Sequence, residues 1–198
     1  GNGIINTHPI PQGMTGFNEN LPGLPYRDIN YARELLLNDP IYGPICNSLG
    51  LNIDSTDNAW ITAAESTNPV ATFNITHYGV FSLISVFKDS AKYLGIQITE
   101  NNVGDWPTYL NFVESYPERL EFALGGWNPD YYDPVNMLKP MYATDAAANY
   151  CGLTNSTIDA NLNALHHLTG EEKLLAIDEV VSQIIVENAA GLDRKSVV

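Results

Sequence analysis

From Ala71 to Gly125 the chain switches repeatedly between two hydrophobic periods, and this constrains its fold more than any other feature. Ala71-Thr72-Phe73-Asn74-Ile75-Thr76 alternates apolar and polar, as a half-buried strand does. Val80, Leu83, Ile84, Phe87, Ala91 and Leu94 then recur at helical spacing, and Gly95 stands where a left-handed residue ends a helix. Ile96 to Thr99 reads as a second strand. Asp105 as N-cap and Pro107 in the first turn open a second helix that runs to about Ser115, and Leu120 to Gly125 reads as a third strand. Strand–helix–strand–helix–strand predicts an α/β fold with a largely parallel central sheet, right-handed crossovers and flanking helices.

The flanks are less regular. Residues 1 to 28 are rich in Gly, Pro and Asn, which is loop chemistry. Asn30 to Leu37 predicts a short helix with Ala32, Leu35 and Leu36 on one side. Residues 41 to 70 show no clean period and are expected to be an irregular insertion. Toward the end, Ser156 to His166 predicts a helix with Ile158, Leu162 and Leu165 inward. Thr169-x-x-Glu172 has the form of a capping box. It opens a helix whose stripe of Leu174, Ile177, Val181, Ile184 and Ile185 is expected to pack on the sheet.

Charge and motif content exclude several functions. Nine Lys and Arg against 23 Asp and Glu leave a net charge of −14, so a nucleic-acid partner lacks its cationic footprint. No apolar run approaches the ~20 residues that cross a bilayer. Neither a nucleophile elbow, a zinc-protease helix motif nor a phosphate-binding P-loop is present, so no catalytic residues, cofactor or metal are expected. His166 and His167 are adjacent on a helix and point about 100° apart, which prevents joint chelation. His77 and Tyr78 follow the first strand, as cleft contacts or plain loop residues. Cys46 and Cys151 form a disulfide if the protein is exported, or stay as two buried thiols if it is not. Two N-x-[ST] sequons, at Asn74 and Asn155, are compatible with export.

The ends carry an expectation of their own. The sequence begins at Gly1 without Met or an apolar leader. Its last residues, Asp193-Arg194-Lys195-Ser196-Val197-Val198, back-translate to the start of a common sequencing adapter. Residues 193 to 198 are therefore expected to be an adapter artefact, with a natural chain that continues past Leu192.

The richest segment is Gly125-Gly126-Trp127-Asn128-Pro129-Asp130-Tyr131-Tyr132-Asp133-Pro134, directly after the third predicted strand. Ligands of open α/β sheets settle at the carboxyl ends of strands. Flat aromatic faces beside an anion suit a small organic ligand that bears a cation. Asp133 reads as a turn stabiliser before Pro134, and Asp130 as a ligand contact.

This block resembles the W-x-x-D-Y-x-[DE]-P segment of oligopeptide- and dipeptide-binding proteins that serve ATP-driven importers. The run from Phe73 to Leu94-Gly95-Ile96-Gln97-Ile98 is similar to that family's strand, helix and "LGI-x-V" strand. Ala32-Arg33-Glu34-Leu35-Leu36 is similar to its "A-x-x-L-L" helix. Asn149 and Asn155-Ser156-Thr157-Ile158-Asp159 are similar to its asparagine-then-"N-P-x-x-D" spacing, although Leu153 and Ser156 replace the family's tyrosine and proline.

The resemblance implies a lobe of the periplasmic-binding-protein type II fold over residues 1 to 192, cut from a two-lobed protein that closes on its ligand. It implies an extracytoplasmic substrate-binding component of an importer. Its partners would be a peptide or other small solute and the permease subunits, with the membrane reached only through an anchor or the transporter. It implies that Asp130 holds a peptide ammonium and that Trp127 and Trp106 wall the pocket, with Tyr131 and Asn149 as further contacts. A sensor ectodomain, or a binding protein for a metal complex or sugar, is the alternative.

Overall fold

The computed structural model describes residues 8–21, 27–79, 82–116, 120–125 and 127–188. Val80, Gly126 and the residues 193–198 of the expected adapter scar lie outside the described residues. The chain divides into two compact units, one of residues 26–124 and one formed by residues 1–25 with 125–198.

The first unit holds α1 (Ile29–Asn38), α2 (Tyr42–Ser48), α3 (Asp57–Glu65), β1 (Ala71–His77), α4 (Ser82–Lys92), β2 (Ile96–Asn102), α5 (Trp106–Ser115) and β3 (Phe122–Ala123). The strands pair in parallel in the order β2-β1-β3, with Phe73 opposite Ile98 and Ile75 opposite Phe122. Period-two alternation sends Phe73, Ile75, Ile96, Ile98 and Phe122 to one face, where Ile84, Phe87 and Ala91 of α4 pack on them. Phe122 meets Phe73 and Phe87 edge-on, with ring centroids 5.6 and 5.3 Å apart. Leu83, expected inward, is 42% exposed, so the buried stripe of α4 is narrower than its spacing predicts.

Strand lengths differ from expectation for local reasons. β2 runs on to Asn102, while β3 keeps only two residues. Just before β3, the Glu121 carboxylate accepts the Asn74 N–H, so a side chain takes the position where a main-chain carbonyl would extend the ladder. Gly95 has φ +70° at the turn after α4, and its carbonyl accepts the Val70 N–H at 3.0 Å. A Cβ there would lie 2.5 Å from Val70 Cγ2, so two independent constraints require glycine.

The stretch 41–70, expected to be irregular, folds into α2 and α3 around a core of Cys46, Leu51, Trp60, Ala63 and Val70. Helices of seven and nine residues are too short to display a period in sequence. Their caps are nonetheless local: Asp39 accepts the N–H groups of Ile41 and Tyr42, and Thr56 Oγ1 accepts that of Ala59. On α1 the apolar stripe is also corrected. Leu35 is 55% exposed, whereas Arg33 is buried beneath the helix.

The second unit holds α6 (Pro134–Tyr142), α7 (Ser156–Ala164) and α8 (Gly170–Ser182), which continues as a π-helical turn over Gln183–Glu187. Ile158, Leu162 and Leu165 point inward as predicted, and they meet Leu138, Ile177, Val180 and Ile184 in one apolar cluster. Ile10 and Met14 from the glycine- and proline-rich leading segment complete it. Thus the stripe of α8 is buried in a helical core, and Leu174 is left 41% exposed while Val180 is buried. The capping box does not close: Thr169 occupies the N-cap position without a side-chain bond. Gly170 follows at φ +59°, which sends the chain into the helix by a left-handed step.

Candidate functional site

The segment between β3 and α6 is shaped by its two aspartates and by Asn136 of α6. Asp133, in extended conformation, caps α6 by accepting the Val135 N–H at 2.8 Å, and Pro134 supplies the preset φ of a first turn. Its other oxygen lies 3.4 Å from Lys173 Nζ on α8. Asp130 is placed through its main chain, whose N–H donates to Asn136 Oδ1 at 2.7 Å. Trp127 is placed through its ring, whose Nε1–H donates to the Asn136 carbonyl at 2.7 Å. Between these ties, Tyr131 and Tyr132 stand 56% and 66% exposed.

The two carboxylates are therefore differently committed. Asp133 is used by a helix terminus and an ammonium group. The Asp130 carboxylate is exposed and has no hydrogen-bond or ion-pair partner among the described residues. A fixed main chain with a free carboxylate presents an anion at a defined place. Beside Tyr131 lies an open cavity of about 320 Å³, also bordered by Asn136, Lys139, Thr144, Asp145 and His166. Asp145 holds φ +59° there, the one described non-glycine residue in the left-handed region.

Trp127, Asp130 and Tyr131 are thus brought together on one loop. Asn149 sits farther along the same unit, where its amide is fully engaged. It donates to the carbonyls of Ala143 and Leu153 at 3.0 and 2.8 Å, and its oxygen accepts the Leu153 N–H and the Cys151 thiol. Trp106 belongs to the other unit. There it stacks on Tyr109 at 5.5 Å and meets Tyr78 edge-on at 4.9 Å, at the carboxyl ends of β1 and β2. Asp105 caps this α5 helix, and the hydrogen bonds from Thr108 hold its carboxyl below the usual carboxylate range.

His77 closes β1 and is not a loop residue: it is 3% exposed, with Nε2 3.3 Å from Glu100 Oε2. Glu100 also receives Lys88 Nζ at 2.6 Å, a contact that lowers its carboxyl pKa. Cys46 is buried, Cys151 is exposed, and neither is in a disulfide. Burial pushes the pKa of the Cys46 thiol up. Among the described residues no cluster of His, Cys, Asp and Glu suits a metal ion, and no helix is long and apolar enough to cross a membrane.

Asn136 and Lys173 are the functional neighbours that sequence reading missed. The signal for Asn136 was present, because it stands four residues before Pro140 inside a helix. Lys173 left no local signal, since it reaches Asp133 across 40 residues of chain.

The fold is that of a periplasmic-binding-protein-like lobe, a mixed helix and strand chain around a small parallel sheet. It superposes on solved substrate-binding proteins of ABC transporters. One is the periplasmic binding protein DppA from Helicobacter pylori in complex with the peptide STSA, with TM-score 0.67, 19% identity, and coverage of 95% of this chain and 32% of that one. A second is CtaP, an ABC transporter substrate-binding protein from Listeria monocytogenes, with TM-score 0.64, 16% identity, and coverage of 92% and 32%. A third is NikA from Staphylococcus aureus in complex with Ni(L-His)2, with TM-score 0.62, 16% identity, and coverage of 95% and 34%. The chain thus spans about a third of the length of these proteins. No protein-family profile and no curated protein sequence matches it.

Proposed function

We propose that the chain is the ligand-binding part of a solute-binding protein, which captures peptides or similar small solutes outside the membrane for the permease of an ATP-driven importer. Asp130 holds the ligand's ammonium group, and Trp127 and Tyr131 flank it. Trp106 offers a stacking face of the same kind on the other unit, and Asn149 contributes by fixing the turn around it. The observation that carries this reading is the exposed, uncommitted Asp130 carboxylate on a loop whose main chain is pinned. In a cleft closed by a second lobe, such a carboxylate makes a charge-assisted bond about twice as strong as a neutral one. The fold likeness to periplasmic peptide-binding proteins supports the same role.

The test uses the intact gene product and trialanine, with a free or acetylated amino end, in calorimetric titration. Asp130→Asn is expected to weaken the free peptide by about 2–5 kcal/mol, tens- to thousands-fold, and acetylation should do the same to the wild type. Affinity that ignores both changes removes Asp130 from the site.

A further inference from the structure

The anchor of the Trp127 loop depends on a helix defect. Pro140 lies inside α6, where a residue normally donates its N–H to the carbonyl four positions back. Proline has no N–H, and its ring pushes that carbonyl outward. The carbonyl four back belongs to Asn136, and it is the one that accepts the Trp127 indole N–H at 2.7 Å. The same Asn136 binds the Asp130 main chain through its side chain. One residue thus holds two members of the candidate site, Trp127 and Asp130, and a proline one turn later keeps its carbonyl free to do so.

We propose that Pro140 and Asn136 are positioning residues: Pro140 reserves the Asn136 carbonyl for the Trp127 indole, and Asn136 sets Trp127 and Asp130 in fixed relation. The positioning role rests on the ligand reading given above, whereas the clamp itself is read without any ligand. Neither residue needs to touch the solute. The device differs from a plain stability contact, because removing the proline should favour the helix while loosening the loop.

The experiment is Pro140→Ala, followed by the indole N–H resonances of the 198-residue chain, with the Trp127 signal assigned by its loss in Trp127→Phe. The alanine supplies a competing N–H to the Asn136 carbonyl. The Trp127 indole should move upfield and exchange about fivefold faster or more, with Trp60 and Trp106 unchanged and Tm equal or higher. Asn136→Ala should speed exchange of the Asp130 amide in the same way. An unchanged Trp127 indole in Pro140→Ala overturns the proposal. On the intact protein, trialanine affinity should fall about fivefold or more in Pro140→Ala with Tm retained. If Asp130→Asn weakens trialanine but Pro140→Ala does not, the positioning role is overturned and the ligand reading stands. If the indole is released but Asp130→Asn has no effect, the clamp stands and the ligand reading fails.

Discussion

Arg33 is the side chain whose removal gives the sharpest stability prediction. It is 4% exposed on α1, and its guanidinium makes three kinds of contact. Nε donates to the Tyr93 carbonyl at 3.0 Å, Nη2 donates to Asp57 at 2.7 Å, and the cation lies 5.1 Å from the Trp60 ring centroid. Arg33→Met keeps the apolar stem and removes all three. A charge-assisted bond to a part-buried carbonyl contributes roughly 1.5–3 kcal/mol, and a partly desolvated cation–π contact roughly 0.5–2 kcal/mol. The Asp57 side chain is 59% exposed, which limits that ion pair to about 0–1 kcal/mol. Arg33→Met should therefore cost about 3 kcal/mol and Asp57→Ala about 1 kcal/mol. Amide hydrogen exchange separates the units: slowed core amides such as Trp60 and Ile98 should lose that protection, while Leu162 in the other unit serves as a control. Equal losses in the two variants would show that the ion pair, and not Tyr93 and Trp60, carries the contribution. A loss below 1 kcal/mol in Arg33→Met would refute the reasoning altogether.

Two further outcomes follow from single residues. Gly95→Ala combines a left-handed backbone with a Cβ 2.5 Å from Val70 Cγ2, and should cost about 2–4 kcal/mol in urea unfolding; a cost near zero would mean that the turn after α4 relaxes freely. His8 is buried beside Phe17, and desolvation lowers its pKa although Asp178 opposes the shift. A lowered folded pKa means that the unfolded chain takes up the proton first. This contribution is complete above about pH 6.5 and lost as pH falls through the folded value. Wild type should then lose more stability than His8→Gln between pH 7.5 and 5, and identical pH slopes would exclude His8 as the source.

Elements governed by near neighbours were legible without coordinates. The strand–helix–strand–helix–strand order, the caps at Asp105 and Gly95, and the inward face of Ile158, Leu162 and Leu165 depend on residues within about one helical turn of each other. The distinction between Asp133 and Asp130 was also local in half its argument, since a helix cap before proline is a short-range feature. Where a local pattern competed with backbone geometry, as at Thr169 before a left-handed Gly170, the sequence signal failed.

Tertiary structure alone decided the long-range terms. It buried Arg33 against Tyr93, joined Asn18 to Asp178, drew Lys173 to Asp133, and set α8 in a helical core with Ile10 and Met14. It also divided the expected ligand residues between two units, with Trp106 in one and Trp127, Asp130, Tyr131 and Asn149 in the other. The physical reason is that periodicity and capping are fixed by backbone geometry over a few residues. Burial and pairing depend on which distant surfaces exclude water from each other.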